Sequence, residues 1–120
     1  MKTIISFKEG KDKSLLSTKF NPALLATAIA NYNNRVDKLY LPSGAVLEGM
    51  RFDRQDIEAI LANPNVTHLY LRFIESPTAP YITILAGGAV TTATDPNGTV
   101  DKNELYDYCE LCPSACPTYI

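Results

Sequence analysis

Much of what would announce a function is missing from this sequence. No apolar run approaches the about eighteen residues that a membrane span requires. Near the start, Ile4, Ile5 and Phe7 form a short apolar cluster that Lys8 and Glu9 close. A secretory leader needs about seven to fifteen apolar residues, so the expectation is a cytoplasmic protein with no membrane partner. Positive charge is not in excess either. Eleven Lys and Arg stand against thirteen Asp and Glu, a formal net charge of −2, which provides no broad field to gather nucleic acid or anionic lipid.

Catalytic signatures are equally scarce. His68 is the only histidine, so any Ser-His or Cys-His dyad must use it, and no nucleophile elbow accompanies it. Gly87-Gly88 has neither the downstream Lys-Ser/Thr of a phosphate-binding loop nor the spacing of a dinucleotide fingerprint. No catalytic residue is assigned, and the chain reads as a non-enzyme. Cysteine is absent until Cys109, and the three that then appear, Cys109, Cys112 and Cys116, do not close a disulfide framework. A reducing cytosol keeps such residues as thiols.

What is present describes one folded domain. A chain of 120 residues buries roughly two thirds of its unfolded surface, enough for one core. Its 46% apolar and 20% charged residues lie on the globular side of the boundary with disorder. Residues 1–120 are read as a single domain in which 109–120 form a Cys- and Pro-rich tail.

Local patterns divide the chain into elements. Residues 3–7 suit a short strand, and the Lys-rich stretch 8–19 is read as a solvated loop or irregular helix. Asn21-Pro22 is a helix start, with Asn as N-cap and Pro at the first turn. Leu24, Leu25, Ala28, Ile29 and Tyr32 follow at helical spacing and predict a helix over 22–33 with one stripe on a core. Residues 36–41 and 45–52, separated by Pro42-Ser43-Gly44, predict a hairpin. Asp53 is placed to cap a second helix whose buried stripe is Ile57, Ile60 and Leu61, ended by Asn63-Pro64.

Residues 66–75 alternate as a strand with Leu69, Leu71 and Phe73 on a core face and His68, Tyr70 and Arg72 on a wet one. Residues 81–90 predict the next strand, where Gly87-Gly88 marks a bulge or a close backbone approach. After the turn Asp95-Pro96-Asn97-Gly98, Asp101 and Glu104 are spaced to cap a short third helix that Pro113 ends. Adjacent hairpins exclude a purely parallel sheet. The expected fold is α+β, with a mostly antiparallel sheet of about four to five strands and two to three helices packed on one side.

From Phe52 onward the order of motifs resembles a family of small bacterial α+β proteins. The resemblance lies in the helix Asp-Ile-Glu-Ala-Ile-Leu before Asn63-Pro64, the strands around Leu69 and Ile84, the Asp95-Pro96-Asn97-Gly98 turn and the Cys-Pro-x-x-x-Cys-Pro tail. That family carries no assigned activity. The resemblance therefore implies a layout and no reaction.

Three residue sets carry the available chemistry. Cys109, Cys112 and Cys116 have the close thiolate spacing that tetrahedral zinc requires, with His68 or Asp107 as a fourth ligand. Read without metal, Cys109 packs as a small apolar group and the other two lie in a Pro-stiffened turn. Aligned on Gly98, Asp95, Asn97, Asp101 and Glu104 take the third, fifth, ninth and twelfth places of a calcium loop, although Ala93 stands where the first carboxylate belongs. A hairpin turn explains the same letters. His68, Tyr70 and Arg72 form a polar strand face suited to an anion or an acidic partner, or simply to water.

Two functional classes remain. The first is a non-catalytic binding domain that uses exposed strand faces and edges to recruit a protein partner or a second copy, with no cofactor. The alternative is a zinc-binding or thiol-redox protein built on the cysteine cluster.

Overall fold

The computed structural model describes residues 19–75, 77, 78, 81–107, 110–112 and 118. The expected strand at 3–7 and most of the Lys-rich stretch lie outside them. Contacts divide the chain into two compact units, residues 1–48 and 49–120, and each is described by itself.

In the first unit, Asn21 starts the helical segment as its side chain suggests. Its Oδ1 accepts a hydrogen bond from the Ala23 N–H at 3.1 Å, which satisfies one of the orphan amides of a helix start. A 3₁₀ turn, Pro22–Leu24, leads into helix α1, Leu25–Asn33. Lys38 Nζ donates to the Asn33 carbonyl at 2.7 Å, placing a cation at the negative end of the helix. The Tyr32 hydroxyl donates to the Leu47 carbonyl. The expected buried stripe is not found: no residue of α1 is buried, and Leu24 and Ile29 are exposed. Periodicity identifies the residues that share a face, and whether anything covers that face depends on the rest of the fold.

The expected hairpin shrinks to its turn. Gly44 N–H closes the turn onto the Leu41 carbonyl at 2.9 Å, with Gly44 at φ 89°, where a glycine avoids the steric penalty of a Cβ. Beyond the turn the pairing is a single bridge, Tyr40 with Val46. The following strand β1, Gly49–Arg51, pairs instead with the distant strand β5, Glu110–Cys112.

The second unit holds helix α2, Arg54–Leu61, and a three-stranded antiparallel sheet of β2 (His68–Glu75), β3 (Ile82–Val90) and β4 (Thr99–Val100), with β3 in the middle. The class is therefore α+β with antiparallel sheet, as expected, but among the described residues there are two α-helices and the larger sheet has three strands. The expected third helix is not found among the described residues: 101–107 form turns and a bridge, and Tyr106 is held to Ala86 by paired backbone bonds of 2.7 and 3.0 Å. Residues 110–112 are strand. The Asp101–Glu104 spacing that suggested a capping box serves turn hydrogen bonds.

Asp53 does occupy the N-cap position of α2, and its carbonyl accepts from the Asp56 and Ile57 amides. Its carboxylate makes no capping bond. The extended backbone at Asp53, φ −63° and ψ 141°, ends the preceding segment without help from the side chain.

β3 is the centre of the core. Ile84, Ala86 and Ala89 are buried, as is Ile60 of α2. Its Ala86-Gly87-Gly88-Ala89 run lets neighbours approach from both faces. A Cβ at Gly88 would stand 2.7 Å from Val66 Cγ2 and 3.1 Å from Ile60 Cγ2, whereas one at Gly87 would meet Leu105 Cδ2 at 2.8 Å on the opposite face. The glycine pair thus marks a close approach. Small side chains in β3 bring α2 and Val66 to one face and Leu105 and Val100 to the other.

Candidate functional site

The candidate site is β2, an edge strand of the three-stranded sheet among the described residues. Its register with β3 places Leu69, Leu71 and Phe73 opposite Gly88, Ala86 and Ile84, and His68, Tyr70 and Arg72 opposite Ala89, Gly87 and Leu85. Opposed residues share a face, so the two sets divide as the alternation predicts. The expected burial fails. Leu69 and Leu71 are each 46% exposed and Phe73 56%, whereas Tyr70 is 43% exposed. Residues on both faces of β2 are thus exposed, while Ile60 of α2 and Val66 pack against Gly88 of β3.

The direction of the backbone groups on β2 follows from its neighbour. Ala86 exchanges both of its backbone bonds with Tyr106, so its N–H and C=O point away from β2. Backbone polar groups alternate sides along an antiparallel strand. Leu85 and Gly87 therefore address Arg72 and Tyr70 across the β2 ladder, and Leu69, Leu71, Phe73 and Glu75 turn their N–H and C=O towards the open edge. At the start of the strand, the Thr67 N–H donates to the Ala89 carbonyl at 2.9 Å although Ala89 stands opposite His68. The chain bulges there.

His68 belongs to a small hydroxyl network. Its Nδ1 lies 2.8 Å from Thr67 Oγ1, which accepts from the Thr91 N–H at 3.0 Å and contacts Thr91 Oγ1 at 2.8 Å. The same hydroxyl reaches the Ala89 carbonyl at 3.2 Å. These contacts tie the start of β2 to the end of β3. The Arg72 side chain makes no hydrogen bond or ion pair among the described residues.

The calcium-like stretch, residues 93–104, begins after β3 and runs through β4 into the turns beyond it, with no flanking helix among the described residues. Asp95 Oδ1 accepts from the Gly98 N–H at 3.2 Å, and its Oδ2 accepts from Thr99 Oγ1 at 3.3 Å. Asp101 Oδ1 accepts from the Asn103 N–H at 3.0 Å, and its Oδ2 accepts from Asn63 Nδ2 at 3.2 Å. Glu104 Oε2 accepts the Tyr106 hydroxyl proton at 2.6 Å. Each carboxylate thus faces local donors, while Asn97 sits in the turn itself. The Asn103 amide, followed by Asn63, holds the Asp101 carboxyl below its ordinary pKa. The bond to Glu104 raises the Tyr106 phenol.

Of the cysteine set, Cys109 and Cys116 lie outside the described residues, and Cys112 is described as a β5 backbone position opposite Gly49. Among the described residues, no group of three or more His, Cys, Asp or Glu side chains is arranged to hold a metal. No described helix is long and apolar enough to cross a membrane.

The sequence reading identified the alternating residues of β2 and named exposed strand edges as an interaction surface, but it placed Leu69, Leu71 and Phe73 on a core face and so missed their exposure. The signal that pointed to it was the small-residue run in β3, which satisfies itself with other neighbours. Compared with known proteins, the chain matches no family model, no curated protein and no solved structure.

Proposed function

We propose that the chain is a non-catalytic protein-interaction domain that acts in the cytoplasm through the edge of β2. The observation that carries this reading is the union of two features on one strand: outward-facing backbone groups at Leu69, Leu71 and Phe73, and the exposed apolar side chains of the same residues. Edge strands that remain alone are ordinarily blunted by lysine, proline or strong twist, and an open one is a template for strand addition. The net charge of −2 favours a protein over a nucleic acid as the partner. The layout of the small bacterial family that the chain resembles belongs to the same reading.

The test has two measurements on the intact chain. Metal analysis after purification without chelator should find substoichiometric zinc and iron. Sedimentation should show association that Leu71→Lys abolishes while the melting temperature stays near wild type. Stoichiometric zinc held by thiolates would instead support a metal protein built on Cys109, Cys112 and Cys116 and overturn the interaction reading.

A further inference from the structure

We infer that the partner of β2 is a second copy of this chain, paired antiparallel about a two-fold axis at Leu71. The inference rests on the interaction reading above and names its partner. A two-fold axis perpendicular to a sheet sets an edge strand against itself antiparallel, and each residue then opposes one from the same face. Only pairings between Leu69, Leu71, Phe73 and Glu75 of the two copies present hydrogen-bonding groups to each other, because these are the residues whose N–H and C=O face the open edge.

Within that set the side chains choose the register. With Leu71 on the axis, Leu71 opposes Leu71 of the second copy and Leu69 opposes Phe73, so both apolar rows join into one strip. On the other face Tyr70 opposes Arg72 of the second copy. That pairing occurs twice, in the non-hydrogen-bonded positions where side chains approach most closely, and it sets a guanidinium beside an aromatic ring. The Arg72 side chain has no other partner among the described residues. Shifting the axis to Arg72 places two guanidinium groups face to face and Leu69 against Glu75. Moving it to Tyr70 sets His68 against Arg72 and leaves fewer outward groups to pair. Of these three axes, only the one at Leu71 joins the apolar row to itself and sets Tyr70 beside Arg72 of the second copy.

Single-cysteine substitutions in the full chain read this register directly. Residues in a hydrogen-bonded antiparallel pair lie about 5.5 Å apart between Cα atoms, within disulfide range. With oxidised glutathione as oxidant, Leu71→Cys should form a covalent dimer whose cross-linked peptide, identified by mass spectrometry beside those of the native cysteines, joins position 71 to position 71. Tyr70→Cys and Arg72→Cys should not cross-link to themselves. A 72–72 or 70–70 disulfide would overturn the Leu71 axis. Absence of all three overturns β2 pairing if the wild-type chain dimerises, and the second-copy assignment altogether if it is a monomer. Leu71→Lys under reducing conditions gives an independent measure: the exposed side chain leaves the monomer folded, and two lysines on the axis should raise the dimer dissociation constant at least tenfold. An unchanged dissociation constant would count against the assignment. Stoichiometric zinc would overturn the parent interaction reading, whereas association without a 71–71 cross-link would overturn only the pairing proposed here.

Discussion

Burial separates residues that the sequence pattern treats alike. Ile60 is 1% exposed and meets the Gly88 position of β3, whereas Leu71 is 46% exposed. Ile60→Ala should therefore cost about 2–5 kcal/mol in urea unfolding, the range of a buried aliphatic truncation, and Leu71→Ala about 1 kcal/mol or less under conditions that keep the chain monomeric. Equal losses would contradict the assignment of the core. The glycine pair offers a sharper contrast. Gly88→Ala would press a methyl against the stiff, branched Val66 and Ile60, and should destabilise by about 1–3 kcal/mol. Gly87→Ala meets the far end of the partly exposed Leu105, which can turn aside, and should cost less. The apolar letters of β2 and β3 were legible. Their different burial was not, because it depends on how closely α2 and Leu105 approach β3.

At the scale of elements, both helices and the β2–β3 pair were legible from periodicity, and Asn21 from its capping chemistry. The partners of short strands were not. Residues 45–52 have the letters of a hairpin arm, yet Gly49–Arg51 pairs with Glu110–Cys112, a choice that local pattern cannot encode. Asp101 likewise suggested a helix cap and instead links its own turn to Asn63, just past α2. Those bonds favour the charged carboxylate and lower its pKa from the ordinary 3.8. A group depressed in the folded state contributes stability that is fully present above its unfolded value and is lost as pH falls through its folded one. The melting temperature of the wild type should therefore exceed that of Asp101→Asn above about pH 4, and the difference should narrow as pH falls below 3.8. A gap that stays constant down to pH 2 would contradict this linkage. Asp53→Ala, which removes no capping bond, should change stability by less than about 0.5 kcal/mol.

For the molecule as a whole, composition and burial stand in tension. Nearly half the residues are apolar, but the apolar residues buried among the described ones are Ile60, Ile84, Ala86 and Ala89. Association through Leu69, Leu71 and Phe73 would remove part of that exposed apolar surface from water. The strand's alternating backbone makes the claim measurable at single amides. In dilute solution the Tyr70 and Arg72 amides, bonded to β3, should exchange slowly with deuterium, and those of Leu69, Leu71 and Phe73 should exchange fast. Raising the protein concentration should protect the second set and leave the first unchanged. Amides at Leu69, Leu71 and Phe73 that exchange freely at every concentration, in a chain that nonetheless associates, would contradict the β2 edge as the interaction surface.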